Sequence, residues 1–205
     1  MPQDPNPIYR HVIAASVTNE PGVLAQVASM FAARGFNIDS LVVGRTENPD
    51  LSRMTIVVVS NDAVLEQVRR QLQKLVPVVQ VTDYRDTSYV ERDLMLVQVS
   101  TEGKGRKRGE LIELANLFRA KVVDVSPQRL LIELSGTEDK IEAFIDMIEP
   151  YGIVELARTG VIAMARGSST VSKLVPTAPR IPPRTNRPDE APPGPGVDPG
   201  DLPPG

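Results

Sequence analysis

The order of elements in this chain repeats. Residues 9–84 read as a strand over 9–17, a helix over 22–34, strands over 38–44 and 53–60, a helix over 63–74 and a strand over 78–84. Residues 94–157 read the same way, with strands over 94–100, 121–125, 129–134 and 153–157 and helices over 109–119 and 138–148. Both halves spell β-α-β-β-α-β. That order constrains the fold more than any short motif, because two helices must share one face of one four-stranded sheet.

The helices rest on spacing. Leu24, Val27, Ala28 and Phe31 lie three or four apart, as do Val64, Val68, Leu72 and Leu75, and Ile141, Phe144, Ile145 and Ile148. Each set forms one apolar stripe, so each helix has one face to bury. Pro21 suits a first helical turn, Thr137 before Glu138 and Asp139 suits an N-cap with an acidic first turn, and Gly35 suits a helix stop. The strands rest on β-branched density, as in Thr55-Ile56-Val57-Val58-Val59, and Asn48-Pro49-Asp50 marks a hairpin turn between two of them.

The expected architecture is α+β: two ferredoxin-like β-α-β-β-α-β units over 8–85 and 91–167, followed by a proline- and glycine-rich tail over 168–205. The tail has too little apolar surface to offset the entropy of ordering, so disorder is expected there. Arg180-Ile181-Pro182-Pro183-Arg184 within it also fits a ligand for a proline-recognition groove. Each unit has only roughly 75 residues and leaves one sheet face bare, which predicts a homodimer.

Composition removes several chemistries. The 205 residues include no cysteine and a single histidine, so thiol catalysis, disulfides and thiolate metal sites are absent. His11 lies in the first strand with no second base or nucleophile beside it in the sequence, and reads as an ordinary strand residue. No phosphate-binding loop, dinucleotide fingerprint, zinc-protease helix or serine elbow occurs. The pairs Glu138-Asp139 and Asp189-Glu190 sit where capping and solvation explain them. The N-terminus carries no signal pattern and no run is long enough for a membrane span, so a cytoplasmic protein without membrane contact is expected.

A nucleic-acid partner is also not expected. The net charge is −3, and the tail balances four basic against four acidic residues, so the body carries the acidic excess. An RNA-binding module of this topology stacks bases on aromatics of its central strands, and residues 11–17 and 54–60 contain none. The cluster Lys104, Arg106, Lys107 and Arg108 is basic enough to meet an anion, although a solvated loop explains it as well.

What remains is Asn19-Glu20-Pro21-Gly22-Val23-Leu24 with Asn37-Ile38 some fifteen residues on. A helix N-terminus presents unpaired N–H groups to a carboxylate, and Gly22 lets a ligand approach the N–H groups of Val23 and Leu24. Asn37 offers a carbonyl to an ammonium group and an amide to a carboxylate, with Ile38 as an apolar wall. A plain helix start and a plain turn account for the same residues equally well.

Resemblance separates the two. The glycine turn within this element order resembles an ACT domain. The strings Gly35-Phe36-Asn37-Ile38-Asp39-Ser40-Leu41, Leu51-Ser52-Arg53-Met54-Thr55-Ile56 and Glu91-Arg92-Asp93-Leu94-Met95-Leu96-Val97 resemble the small regulatory subunits of acetolactate synthase. Phe118-Arg119-Ala120-Lys121-Val122-Val123-Asp124-Val125 and Ala157-Arg158-Thr159-Gly160-Val161 extend the similarity across the second half. The resemblance implies a non-catalytic chain without cofactors of its own. It would activate a catalytic large subunit that carries thiamine diphosphate, magnesium and FAD, and confer feedback inhibition by a branched-chain amino acid, usually valine. It further implies that the effector lies between two ACT domains, against Asn19, Gly22, Val23 and Leu24 of one copy and Asn37 and Ile38 of the other. A stand-alone amino-acid sensor and an RNA-binding module are the alternative readings.

Overall fold

The computed structural model describes residues 7–102 and 107–167. The tail over 168–205 and the basic residues Lys104 and Arg106 lie outside them. The first unit contains β1 (Tyr9–Thr18), α1 (Val23–Ala32), β2 (Ser40–Arg45), β3 (Leu51–Ser60), α2 (Asp62–Leu72) and β4 (Val78–Asp83). The second contains β5 (Tyr89–Ser100), α3 (Lys107–Leu117), β6 (Lys121–Val125), β7 (Arg129–Gly136), α4 (Glu138–Ile148), a 3₁₀ turn (Glu149–Tyr151), β8 (Ile153–Arg158) and β9 (Ile162–Ala165). The sheets are antiparallel, ordered β2-β3-β1-β4 and β6-β7-β5-β8. The repeated α+β architecture is thus present in both halves.

Alternation along the strands builds the cores. Ile13, Ala15 and Val17 of β1 and Met54, Ile56 and Val58 of β3 face Val27 and Phe31 of α1 and Leu65, Val68 and Leu72 of α2. In the second unit Met95, Val97 and Val99 meet Ile132, Ile141 and Phe144. Two stripes are rotated from their expected positions. In α1 the buried residues are Val23, Val27, Met30 and Phe31, whereas Leu24 is 46% exposed. In α2 Leu65 rather than Val64 lies at the centre. The buried sets are themselves spaced three or four apart, so spacing alone does not choose between adjacent stripes, and contact with the sheet decides.

One feature was not expected. β5 begins at Tyr89, five residues before the predicted start at 94, and its early part pairs with β9. The β5–β9 ribbon lies against the first sheet's second face, where Val161 and Ala163 pack with Val12, Ala14, Val57 and Tyr84. The face expected to be bare in the first unit is therefore covered from within the chain, and the dimer argument based on its exposure does not apply there, whereas Leu96 on the outer face of the second sheet is 38% exposed. This face is also where a base-stacking module would present its platform. A cut after residue 88 would remove the ribbon and bare these residues to water.

Candidate functional site

Gly22 has φ 86° and ψ −9°, close to the third position of a type II turn, and the Val23 N–H reaches Glu20 O at 3.5 Å to close it. Pro21 is the corner of that turn and not part of the first helical turn, because a left-handed residue stands between it and α1. A Cβ on Gly22 would meet nothing within 4 Å. Glycine is required here by backbone conformation, and the space above the turn is open. Gln26 N donates to Gly22 O at 3.0 Å, and no side chain caps the helix. The N–H groups of Leu24 and Ala25 then have no partner inside α1. Ala25 is a donor the sequence reading missed, because the helix starts one residue later than expected.

The other end of α1 is closed by a Schellman motif. Phe36 N donates to Phe31 O and Gly35 N to Ala32 O, both at 3.1 Å, with Gly35 at φ 66°. The Phe31 and Phe36 rings pack edge to face across this cap, 6.3 Å between centroids. This fixes the next residues. Asn37 is exposed and its amide makes no hydrogen bond among the described residues, Ile38 packs against the first core, and Asp39 N donates to Val57 O at 2.9 Å.

Asn19 is placed differently from expectation. Its Nδ2 donates to Pro49 O at 3.1 Å and its Oδ1 accepts from Ser52 Oγ at 3.2 Å. Its N–H donates to Asp50 O at 2.8 Å. The side chain pins the β2–β3 hairpin to the end of β1, leaving its amide engaged at both ends. Asn19→Ala is expected to lose about 1–2 kcal/mol of stability in urea unfolding with amino-acid binding retained. Loss of amino-acid binding at unchanged stability would return Asn19 to the ligand.

The glycine turn and Asn37 do not meet within one chain. They lie at opposite ends of α1, whose ten residues span about 15 Å. One end sits beside the hairpin at Asp50, the other beside Val57. A single small zwitterion cannot touch both halves of one copy.

The second unit repeats the fold without these groups. Its helix α3 also ends in a Schellman motif, Ala120 N to Ala115 O and Arg119 N to Asn116 O, but Arg119 at φ 55° replaces Gly35 and Lys121 stands where Asn37 would. Arg108, counted above with the basic loop, donates to Ser126 O and Pro127 O at 2.6 and 2.9 Å. His11 is buried and its Nε2–H donates to Ser60 O at 2.9 Å, in keeping with a strand residue.

Two family models match: "AHAS small subunit-like ACT domain" over residues 13–80 and "Small subunit of acetolactate synthase" over 92–167. The probable acetolactate synthase small subunit of Archaeoglobus fulgidus is 55% identical over 159 residues, covering 78% of this chain and 98% of that one. The chain belongs to the acetolactate synthase small-subunit family. The small subunit of Mycolicibacterium smegmatis is 49% identical over 77% of this chain and 91% of its own. The crystal structure of the Thermotoga maritima small subunit superposes with a TM-score of 0.70 at 40% identity, covering 78% of this chain and 98% of that one. The matched family is that of the small, regulatory subunit and not of the catalytic chain. No helix among the described residues is long and apolar enough to cross a membrane.

A second cluster joins the halves of this small subunit, and the sequence reading did not find it. The Asp93 carboxylate is fully buried and accepts from Arg158 Nε and Nη2 at 2.8 and 2.7 Å, Thr159 Oγ1 at 3.2 Å and Gly160 N at 3.1 Å. Arg158 also pairs with Glu142 of α4. Burial lowers the Arg158 guanidinium pKa, but hydrogen bonds to Asp93 and Glu142 outweigh it and hold the group above its ordinary value. Glu138, read as a capping acid, pairs across to Arg10 of β1. The linker between β8 and β9 then seats on β2, where Val161 N donates to Ser40 Oγ at 3.4 Å. Ser40 is two residues beyond Ile38, so the Asn37 turn touches the second unit almost directly.

Proposed function

We propose that this chain binds the catalytic large subunit of acetolactate synthase, raises its activity, and makes it sensitive to a branched-chain amino acid, valine first, held between two copies of the chain. The observation that carries this reading is the separation of the two half-sites at opposite ends of α1. In a two-fold dimer with α1 and the edge strand β2 set against their counterparts, the glycine turn of one copy faces Asn37 of the other. Both elements have free outer surfaces: β2 ends its sheet, and Leu24 and Val43 are 46% and 43% exposed.

In such a site the effector carboxylate meets the N–H groups of Leu24 and Ala25 at the positive end of the helix. The Asn37 amide orients the zwitterion, and Leu24 and Ile38 contact the aliphatic side chain. The contact from Ser40 to Gly160 and Val161 gives effector occupancy a short route to the second unit. Binding then selects one arrangement of the halves and so one pose against the large subunit, and the coupling acts both ways. The thiamine diphosphate, magnesium and FAD named above belong, on this reading, to the large subunit.

Assaying the purified chain with the large subunit, with and without valine, tests this. Asn37→Ala is expected to abolish valine inhibition and keep activation. Gly22→Asp places bulk and negative charge at the carboxylate position and is expected to abolish valine binding by calorimetry. Unchanged inhibition in the first variant, or unchanged binding in the second, would reject the site.

A further inference from the structure

A groove of about 450 Å³ runs between the second face of the first sheet and the β5–β9 ribbon. Val42 and Thr55 form its floor, and Ile162 and Met164, 54% and 69% exposed, stand at its wall. Arg45, Arg53 and Arg92 line it, and no acidic residue does. Among the described residues no carboxylate pairs with any of these three arginines. In a chain of net charge −3 this is a local excess of unmatched positive charge.

The groove also borders the outer edge of β9, against which no second strand pairs among the described residues. Arg166 N donates to Ser88 O at 2.8 Å, and Arg92 and Val90 stand opposite Ile162 and Met164. In an antiparallel ladder this assigns the even-numbered residues of β9 to bonding with β5, and Ala163 and Ala165 direct their N–H and C=O groups away from it. Ala163 O confirms the direction, since it accepts from Arg53 Nη2 at 2.9 Å and from Tyr84 Oη at 3.2 Å. Both alanines line the groove.

From this edge, the apolar walls and the arginines, we infer that the groove receives an extended segment of the catalytic large subunit. The segment adds as a strand beside β9, with apolar side chains against Val42, Ile162 and Met164 and a carboxylate toward Arg45 and Arg92. About four residues, roughly 13 Å of strand, fill it. Because Arg53 and Tyr84 already hold Ala163 O, the main-chain grip comes from the Ala163 N–H and from the N–H and C=O of Ala165, and the arginines select an acidic segment over a basic one. The inference rests on the regulatory reading above and adds where the large subunit is held.

Met164→Asp and Arg92→Glu change exposed side chains outside α1 and β2, so folding and dimer contacts are expected to be retained. In the full-length chain each is expected to weaken large-subunit binding by about tenfold or more and to shift activation to correspondingly higher concentrations. Thermal melting, valine binding by calorimetry and dimer mass by light scattering are expected to stay at wild-type values. Wild-type affinity in both variants would overturn the groove while leaving the regulatory reading intact. If the wild-type chain itself fails to bind the large subunit, both readings fall together. Loss of dimer mass in the variants would assign the groove to a second copy and overturn the inference. A chain ending at Gly167, close to the length shared with the Archaeoglobus relative, separates the remaining occupant. If the variants weaken binding in the full chain and not in the shortened one, the chain's own tail fills the groove and the inference is overturned.

Discussion

Gly160→Ala is expected to lower the melting temperature of the small subunit by roughly 10 °C, far more than one methyl group usually costs. Gly160 has φ 83°, a region an L-residue occupies at a cost of about 1–3 kcal/mol. Its added Cβ would stand 2.6 Å from Ser40 Oγ and 2.9 Å from Val42 Cγ2, so the strap must lift from β2. Overpacking of this kind costs about 1–3 kcal/mol more. A chain of this size loses about 2–4 °C per kcal/mol. Differential scanning calorimetry checks the shift, and a melt within about 2 °C of wild type would reject the tight contact. Gly109→Ala is the control. That glycine lies in α3 with open space around its Cβ position, so alanine there is expected to be neutral or slightly stabilising. Because Ser40 follows the Asn37 turn, Gly160→Ala is also expected to weaken valine inhibition at temperatures where the variant is fully folded.

The repeat was readable because both of its periods are local. Strand alternation and helical stripes need only neighbours within one element, and the glycine turn and the Gly35 stop are set by backbone angles that few residues tolerate. The ribbon was not readable. Ile162-Ala163-Met164-Ala165 has neither β-branched density nor length, and it becomes a strand only because residues 89–92 and the first sheet hold it on two sides. Asp93 stands in the sequence only as one charge before an apolar run. Its burial depends on Arg158, Thr159 and Gly160, more than sixty residues away, and no local pattern carries that information.

The candidate site divides in the same way. Gly22 and Asn37 were visible as residue types suited to an amino acid, but their separation along α1 was visible only once the helix lay between them. Asn19 is a different case. The resemblance sets it against the effector, and in the structure the hairpin at Pro49 and Ser52 engages both ends of its amide. Its role was decided by a chain segment thirty residues on.

The ribbon's hold on the first unit leads to the second large effect. Asp93→Ala is expected to cost about 3 kcal/mol in urea unfolding. Removing one partner of a buried pair costs about 3–5 kcal/mol because the other charge stays behind, and the low end applies here since Arg158 keeps Glu142. The Gly160 N–H and Thr159 hydroxyl lose an acceptor as well. Asp93→Asn retains the shape and one acceptor oxygen but turns an amide donor or an uncharged oxygen toward Arg158, so an intermediate loss is expected. A double-mutant cycle separates this junction from ordinary surface pairing. Asp93→Ala with Arg158→Met is expected to give a coupling above about 1.5 kcal/mol that persists at high salt, whereas Glu66→Ala with Arg70→Ala, an exposed pair on α2, should give below about 0.5 kcal/mol. Equal couplings would mean that the Asp93 junction is only another ion pair. Unequal ones would identify it as the clamp that keeps β9 on the first sheet, and with it the short path from the Asn37 turn to the rest of the chain.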